Sequence, residues 1–243
     1  MSADTEVAVR NVPQATARQI LHILFRQYPR RTLVGATMMI TQSFLYNAIF
    51  FTYALVLQNF YGTTPASTQY YFFPFAIGNL LGPLLLGRLF DTWGRRQMIL
   101  LTYGLGGVTL AVSAGLFHAG VLNALTQTIL WCIAFFFASA GASSAYLTVS
   151  EVFPLEIRSQ VISYFFSVAQ VFGALGPVIF GAMIGAGTSR GPLAVGYYFG
   201  AGMMIAGGLI AFVWGIDAAG KSLENITTPL GVERKQTAAP APD

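Results

Sequence analysis

The chain is poor in charge. Only 9% of its 243 residues are Asp, Glu, Lys or Arg, against roughly 25% in an ordinary soluble domain. A soluble protein can bury its apolar residues, but its outer surface still needs charge. A bilayer removes that need, because lipid replaces water as the outer solvent. Cysteine is scarcer still. The single Cys132 lies beside Trp131 in an apolar run, which excludes an internal disulfide and a cysteine metal cluster. It reads as a small apolar side chain. The two histidines, His22 and His118, stand far apart in the sequence, so neither a zinc pair nor a catalytic pair is expected. No nucleophile–base pair and no acid pair falls inside the apolar stretches, so an enzyme is not expected. No cofactor motif is found either. "GLGG" at 104–107 lies inside an apolar run, with no strand before it and no Lys-Ser/Thr after it, so it is not a phosphate loop. A signal peptide is not expected at residues 1–19. Residues 1–19 are polar and carry Asp4, Glu6, Arg10 and Arg18, so the first span is expected to direct insertion.

What is present is apolar: 55% of the chain. A helix needs about 20 mostly apolar residues to cross the hydrocarbon. Six stretches qualify, at 33–58, 67–90, 97–117, 123–150, 160–185 and 192–216, separated by turn signals such as "NFYGTTPAST", "DTWGRR" and "FHAG". The expectation is an all-α integral membrane protein of six transmembrane helices. Residues 1–31 form an amino-terminal segment, 32–217 the bundle and 218–243 a polar tail. Within the first segment, "QILHILFRQ" at 19–27 reads equally as a short amphipathic helix on the membrane interface or as a linker.

The basic residues give an orientation. With six spans, both termini share a face with the second and fourth connections. That face holds twelve Lys and Arg, whereas the other holds only Arg190. By the positive-inside tendency both termini are expected to be cytoplasmic, in a plasma (inner) membrane. The net charge of +4 is then explained by loops on one membrane face. It needs no nucleic-acid partner.

One stretch breaks the charge-free pattern. "GRLFDTWGRR", residues 87–96, carries Asp91 and three arginines, between charge-free runs of 32–87 and 97–150 that it briefly interrupts. The pattern Gly87-x-x-x-Asp91-x-x-Gly94-Arg95-Arg96 between two spans resembles the signature turn of the major facilitator superfamily. "SEVFPLEIR", Ser150–Arg158, resembles the turn after the tenth span of sugar porters and metabolite–proton symporters. "GKSLENI", Gly220–Ile226, resembles the sequence that closes their last span. The order and spacing match the carboxy-terminal half of such a transporter, from about Gln27 onward. The resemblance implies one six-helix half-bundle of the major facilitator fold.

It also implies roles. A carboxylate at the end of its own helix is unfavourable there and favourable near another helix's amino terminus. The resemblance makes the start of the fifth span, after Arg158, the partner of Asp91. Arg95 and Arg96 are expected to pair with Glu151, and Glu151 also with Arg158. Gly87, Asp91, Gly94, Arg95, Arg96, Glu151 and Arg158 are thus the candidate latch for alternating access. Thr92 stands where this turn often has a second basic residue. Tyr146 takes the place of a sugar-porter tryptophan, and Phe51 and Thr52 that of a tyrosine pair. The resemblance therefore implies the transporter class rather than a hexose specificity.

Transporters of this family hold the solute near mid-membrane, between two six-helix halves. Gln42 and Tyr46 fall on one stripe of the first span with Tyr53, and Asn47 is one step round. Gln42 and Asn47 match the glutamine and asparagine of the sugar-porter seventh span. Ser139, Ser143 and Tyr146 repeat the spacing in the fourth span, as do Ser163, Ser167 and Gln170 in the fifth. For the serines, interhelical hydrogen bonding is the favoured reading over a place in the pocket. Glycines 78 and 82, 181 and 185, and 196 and 200 form three small-xxx-small pairs that permit close helix approach. Pro74, Pro83 and Pro177 are expected to kink their spans.

The leading expectation is a half-length secondary transporter for a small polar solute, with or without a coupling proton. It would be completed in the bilayer by a complementary six-helix half or a second copy. The alternative is a non-transporting membrane fragment or scaffold with the same bundle. The topology is directly testable with single cysteines in a Cys132→Ser background. Sites at Tyr61, Ala119 and Ser189 should react with an impermeant thiol reagent in intact cells, and sites at Trp93 and Leu155 should not. Labelling at position 93 from outside would overturn the orientation.

Overall fold

The computed structural model describes residues 16–185 and 189–215. The polar tail, including Gly220–Ile226 and the basic residues Lys221, Arg234 and Lys235, lies outside the described residues, as do Arg10 and residues 186–188. The described chain is a succession of helices: α1 (Ala17–His22), α2 (Pro29–Tyr61), α3 (Pro65–Thr68), α4 (Phe72–Thr92), α5 (Arg95–His118), α6 (Ala124–Val152), α7 (Arg158–Gly185) and α8 (Gly191–Trp214). A π turn, Ile23–Gln27, extends α1, and a 3-10 turn, Gln69–Tyr71, joins α3 to α4. Six of the resulting helices are long and apolar enough to cross a membrane. They coincide with the six stretches expected from sequence and form an all-α half-bundle of the major facilitator kind.

Local chemistry sets the boundaries. Pro29 opens α2, where its missing N–H would have no partner anyway. Gly62 ends α2 at φ 67, and the N–H of this left-handed cap bonds back to the last turn. Asn123 caps α6 by accepting from Thr126 N. Between α4 and α5 the chain turns through Gly94 at φ 98, a conformation that a Cβ would strain.

The prolines act differently from one another. Pro83 and Pro177 lie inside α4 and α7, which run on through them. Pro74 falls in the first turn of α4. It cannot bond to the carbonyl four residues earlier, and there the chain tightens into the 3-10 turn Gln69–Tyr71.

The main helix pairings are α2 with α7, α5 with α8, α4 with α6, and α5 with α6; α2 also meets α6 and α8. This scheme maps onto itself when the first three long helices are exchanged for the last three. The bundle is thus a three-plus-three repeat. In the two peripheral pairings, α4 with α6 and α2 with α7, glycines bring helix backbones into close approach. A Cβ on Gly78 would lie 2.7 Å from the Cys132 carbonyl, and one on Gly82 would collide with the Phe136 carbonyl. On the matching helix, a Cβ on Gly176 would lie 2.6 Å from the Phe44 carbonyl. Gly82-Pro83 and Gly176-Pro177 sit in the strings "LGPLLLG" (81–87) and "LGPVIFG" (175–181), an echo of the repeat in the sequence itself.

The glycine expectation is correct for Gly78 and Gly82. Gly196 and Gly200 face side chains, Met183 and Leu45, rather than backbone. A Cβ on Gly181 or Gly185 would meet nothing within 4 Å. They lie beyond the α2 contact, and Gly173 and Gly176 provide the close approach instead.

The centre of the bundle is shared by α2, α5, α6 and α8, where Met38, Tyr103, Leu110, Trp131, Tyr197 and Met204 are all at most 1% exposed. Tyr103 donates its hydroxyl to the Met38 carbonyl at 3.0 Å, so the buried ring carries no orphan donor. By contrast, α4 and α7 have only 11% and 28% of their most apolar windows inside the protein. They are the outer walls. Gly82→Val should therefore force α4 off α6 and lower stability by about 1–3 kcal/mol, read as thermal melting in detergent. Gly181→Val should leave the melting temperature unchanged.

Candidate functional site

Near the middle of α2, Met39, Gln42, Ser43, Tyr46 and Asn47 share one face, at spacings of three and four residues. This face looks onto Ala142, Ala145 and Tyr146 of α6 and onto Phe166, Ala169 and Gln170 of α7. Together they enclose a cavity of about 190 Å³. The three alanines make the space and the polar side chains line it. Of the sequence candidates, the structure brings together Gln42, Tyr46, Asn47, Tyr146 and Gln170.

Their hydrogen bonds are unevenly filled. Gln42 donates Nε2 to the Ala138 carbonyl at 2.9 Å, which fixes its amide against α6. Its Oε1 is buried and has no hydrogen-bond partner. Ser43 donates to Gln170 Oε1 at 2.7 Å, linking α2 to α7. Asn47 reaches Ser43 only at 3.5 Å. Gly173 lies beneath these groups, and a side chain there would run into Ser43 Oγ and Asn47 Nδ2. Tyr46 accepts from Asn79 Nδ2 of α4 at 2.7 Å and stacks on Phe50 with centroids 5.8 Å apart. The Tyr146 and Phe166 rings meet at 6.2 Å on the open side.

Two serine candidates stay out of the lining. Ser139 and Ser143 donate to their own helix, to Phe136 O at 3.3 Å and Ser139 O at 3.2 Å. Ser139 is buried under Gly82 at the α4 contact. Ser163 and Ser167 likewise bond within α7, to Ser159 O and Ser163 O. None of these four hydrogen-bonds between helices, because each hydroxyl is already taken by a carbonyl about one turn back on its own helix. Tyr53 also leaves the stripe and packs among Phe72 and Phe75.

Sequence spacing missed Ser43 and Asn79. Ser43 stands four residues before Asn47, and Asn79 is the one amide inside the apolar run of α4. Either could have been found by asking where those polar groups find partners in lipid.

A second constellation closes one end of the bundle, where α4, α6 and α8 finish and α2, α5 and α7 begin. Arg95 forms an ion pair with Glu151 and a longer one, at 3.6 Å, with Asp91. It joins α4, α5 and α6. Arg96 does not reach Glu151. Its Nε donates to the Phe212 carbonyl at 2.7 Å, and its guanidinium lies over the Phe212 ring. Arg158 makes no ion pair with Glu151 and donates instead to the Phe153 carbonyl at 3.4 Å. Arg31 donates to the Val152 carbonyl at 2.5 Å. The physical reason is common to all three. The last carbonyls of α6 and α8 have no intrahelical donors, and a cation is favoured at a helix carboxy terminus. Asp91 is largely exposed and is held by Arg95; no bond to the start of α7 is found among the described residues. A Cβ on Gly87 would meet nothing within 4 Å.

The opposite end repeats the device. Arg190 donates to the Phe117 carbonyl at 3.1 Å and the Phe60 carbonyl at 3.5 Å, and lies over the Tyr61 and Phe117 rings. Tyr61 donates to Gln127, which donates to Ser113. One arginine thus caps both α2 and α5.

No curated protein matches the sequence. Residues 6–230 match the family model described as "Sugar (and other) transporter". The match covers nearly the whole chain, on a bundle of six apolar helices with a cavity at mid-length that is lined by amides, tyrosines and apolar groups. The chain is a multi-pass membrane protein that belongs to the sugar (and other) transporter family of the major facilitator kind.

Proposed function

We propose that the chain carries a small, neutral, hydroxyl-rich solute by alternating access, with the cavity between α2, α6 and α7 as its half of the binding site. The observation that carries this is the cavity lining, where the amides of Gln42, Asn47 and Gln170 meet Ser43, and where Gln42 is pinned through its nitrogen with no partner for its Oε1. An orphan acceptor at mid-membrane costs free energy until a donor arrives. A solute hydroxyl is such a donor. The lining contains amides, a serine, two tyrosines and apolar groups, and no carboxylate or amine, which favours a neutral solute over an ion. For the same reason, a proton carrier for coupled transport would have to lie outside this lining.

The open side of the cavity is the face that a complementary six-helix half, or a second copy, would complete. Tyr146, Phe166 and Gln170 are exposed there, and lipid offers an amide no hydrogen bonds. The Arg95–Glu151 pair lies at the end we place in the cytoplasm, by the excess of basic residues, in a plasma (inner) membrane. It ties α5 to α6 there and serves as a latch that breaks when the ends of these helices separate. The amino-terminal segment to residue 31 and the tail from residue 218 flank the 32–217 bundle on that same face.

Two measurements test this. In proteoliposomes, Gln42→Ala and Asn47→Ala should each lower flux of labelled hexoses and polyols at least about tenfold, the effect of losing one hydrogen bond to a desolvated solute hydroxyl. Ser139→Ala should change it little. Wild-type protein that inserts normally yet moves no member of the panel, alone or with a complementary half, would refute the transport reading. For the latch, Arg95→Glu and Glu151→Arg should each slow flux, with partial recovery in the double swap. Equal loss in all three would argue against a working pair.

A further inference from the structure

The segment that enters the bundle has three faces. Ile20, Ile23 and Leu24 are buried, at 0%, 9% and 2% exposure, and belong to the core. Leu21 and Phe25 are apolar but exposed, at 48% and 64%. They lie four residues apart and so share one face. Arg18 and Arg26 are exposed eight residues apart on a third stripe, and Arg30 is exposed just beyond. The chain does not run straight into α2. Tyr28, at φ −125 and ψ 49, interrupts the helix, and Thr32 donates back to the Leu24 carbonyl at 2.7 Å. Arg18, Arg26 and Arg30 make no hydrogen bond or ion pair among the described residues. Among the described residues the acids at this end are Asp91, Glu151 and Glu156, and two of these are engaged by Arg95.

From this pattern we infer that residues 16–31 bind the surface of an anionic bilayer. Leu21 and Phe25 enter the acyl boundary, and Arg18, Arg26 and Arg30 meet lipid phosphates. A free amphipathic helix needs two faces to lie on a membrane. This one has a third, which clamps it to the protein at the point where α2 enters the membrane. The exposed apolar pair explains why the occupant is lipid rather than free phosphate, since a soluble anion would leave Phe25 in water. The charge complement is sequence-readable lipid recognition, in which each basic residue near an anionic surface adds to binding. The inference rests on α2 spanning the membrane and not on the identity of the solute.

The test uses the full chain carrying F25W, reconstituted into vesicles of phosphatidylcholine alone or with about one-third phosphatidylglycerol, with acyl-brominated lipid as quencher. The unsubstituted chain supplies the background from Trp93, Trp131 and Trp214. Quenching of the introduced indole should be at least about twofold greater in the anionic vesicles. It should weaken in about 1 M salt, where charges are screened within about 3 Å. R18Q/R26Q/R30Q should abolish the dependence on lipid charge, and R18K/R26K/R30K should keep it. The lysine variant and the salt series guard against a glutamine variant that misfolds. Equal quenching in both lipids would overturn the inference, and so would a lipid dependence that survives the triple glutamine change in protein that melts normally. Protection that tracks the protein-to-lipid ratio would assign the face to a second copy instead, and would equally overturn it.

Discussion

Lipid offers no hydrogen bonds, and most of this structure follows from that. Inside the bilayer every backbone group must be satisfied by the protein, so the chain is helical between its connections. The constraint is hardest to meet at helix ends, where the last carbonyls have no intrahelical donors. Here arginine supplies them. Arg31 reaches the end of α6, Arg158 the residue just beyond it, and Arg96 the end of α8, while Arg190 serves α2 and α5 together. Each guanidinium gains from the carboxy-terminal dipole and stitches its own helix to another. Few charges are present, and these four arginines tie helix ends together.

The same constraint shapes the interior. Several hydroxyls bond to a carbonyl of their own helix and are silenced, as in Ser139, Ser143, Ser163 and Ser167. The longer amides cannot satisfy themselves that way. Gln42 and Gln170 therefore look across helix boundaries, Gln42 to Ala138 and Gln170 to Ser43, and the cavity lies between them. Asn79 does the same from α4, by holding the Tyr46 hydroxyl. A cavity with polar groups set in an apolar lining arises because amide side chains that look across helix boundaries are gathered on one side of α2.

Packing then decides which walls are fixed. Glycine lets α4 lie against the α6 backbone, and Gly176 does the same for α7 against α2. Each pair couples an outer helix to one that lines the cavity. The two tight pairings are related by the exchange of the bundle's halves, and each carries a Gly-Pro step at its centre. Outward, α4 and α7 present mainly apolar side chains with little cover from the rest of the described protein.

The six spans were legible in the sequence because membrane helices announce themselves by length and by the absence of charge, and both are local properties. The motif turns were legible too, since a tight connection such as the one through Gly94 leaves its mark in consecutive residues. Gln42 and Asn47 stood out because amides in an apolar run are costly wherever they point. Partner choice was not legible. Arg96 and Arg158 passed over Glu151 for backbone carbonyls, which are the same in every residue and leave no trace in sequence. Nor could spacing alone tell Gly181, facing open space, from Gly176, pressed on a carbonyl. Both sit at small-residue positions on one helix, and only the crossing point of α7 with α2 separates them. Sequence determined what must cross the membrane and what cannot face lipid; the tertiary structure decided which group satisfies which, because that depends on distances between helices that no single helix encodes.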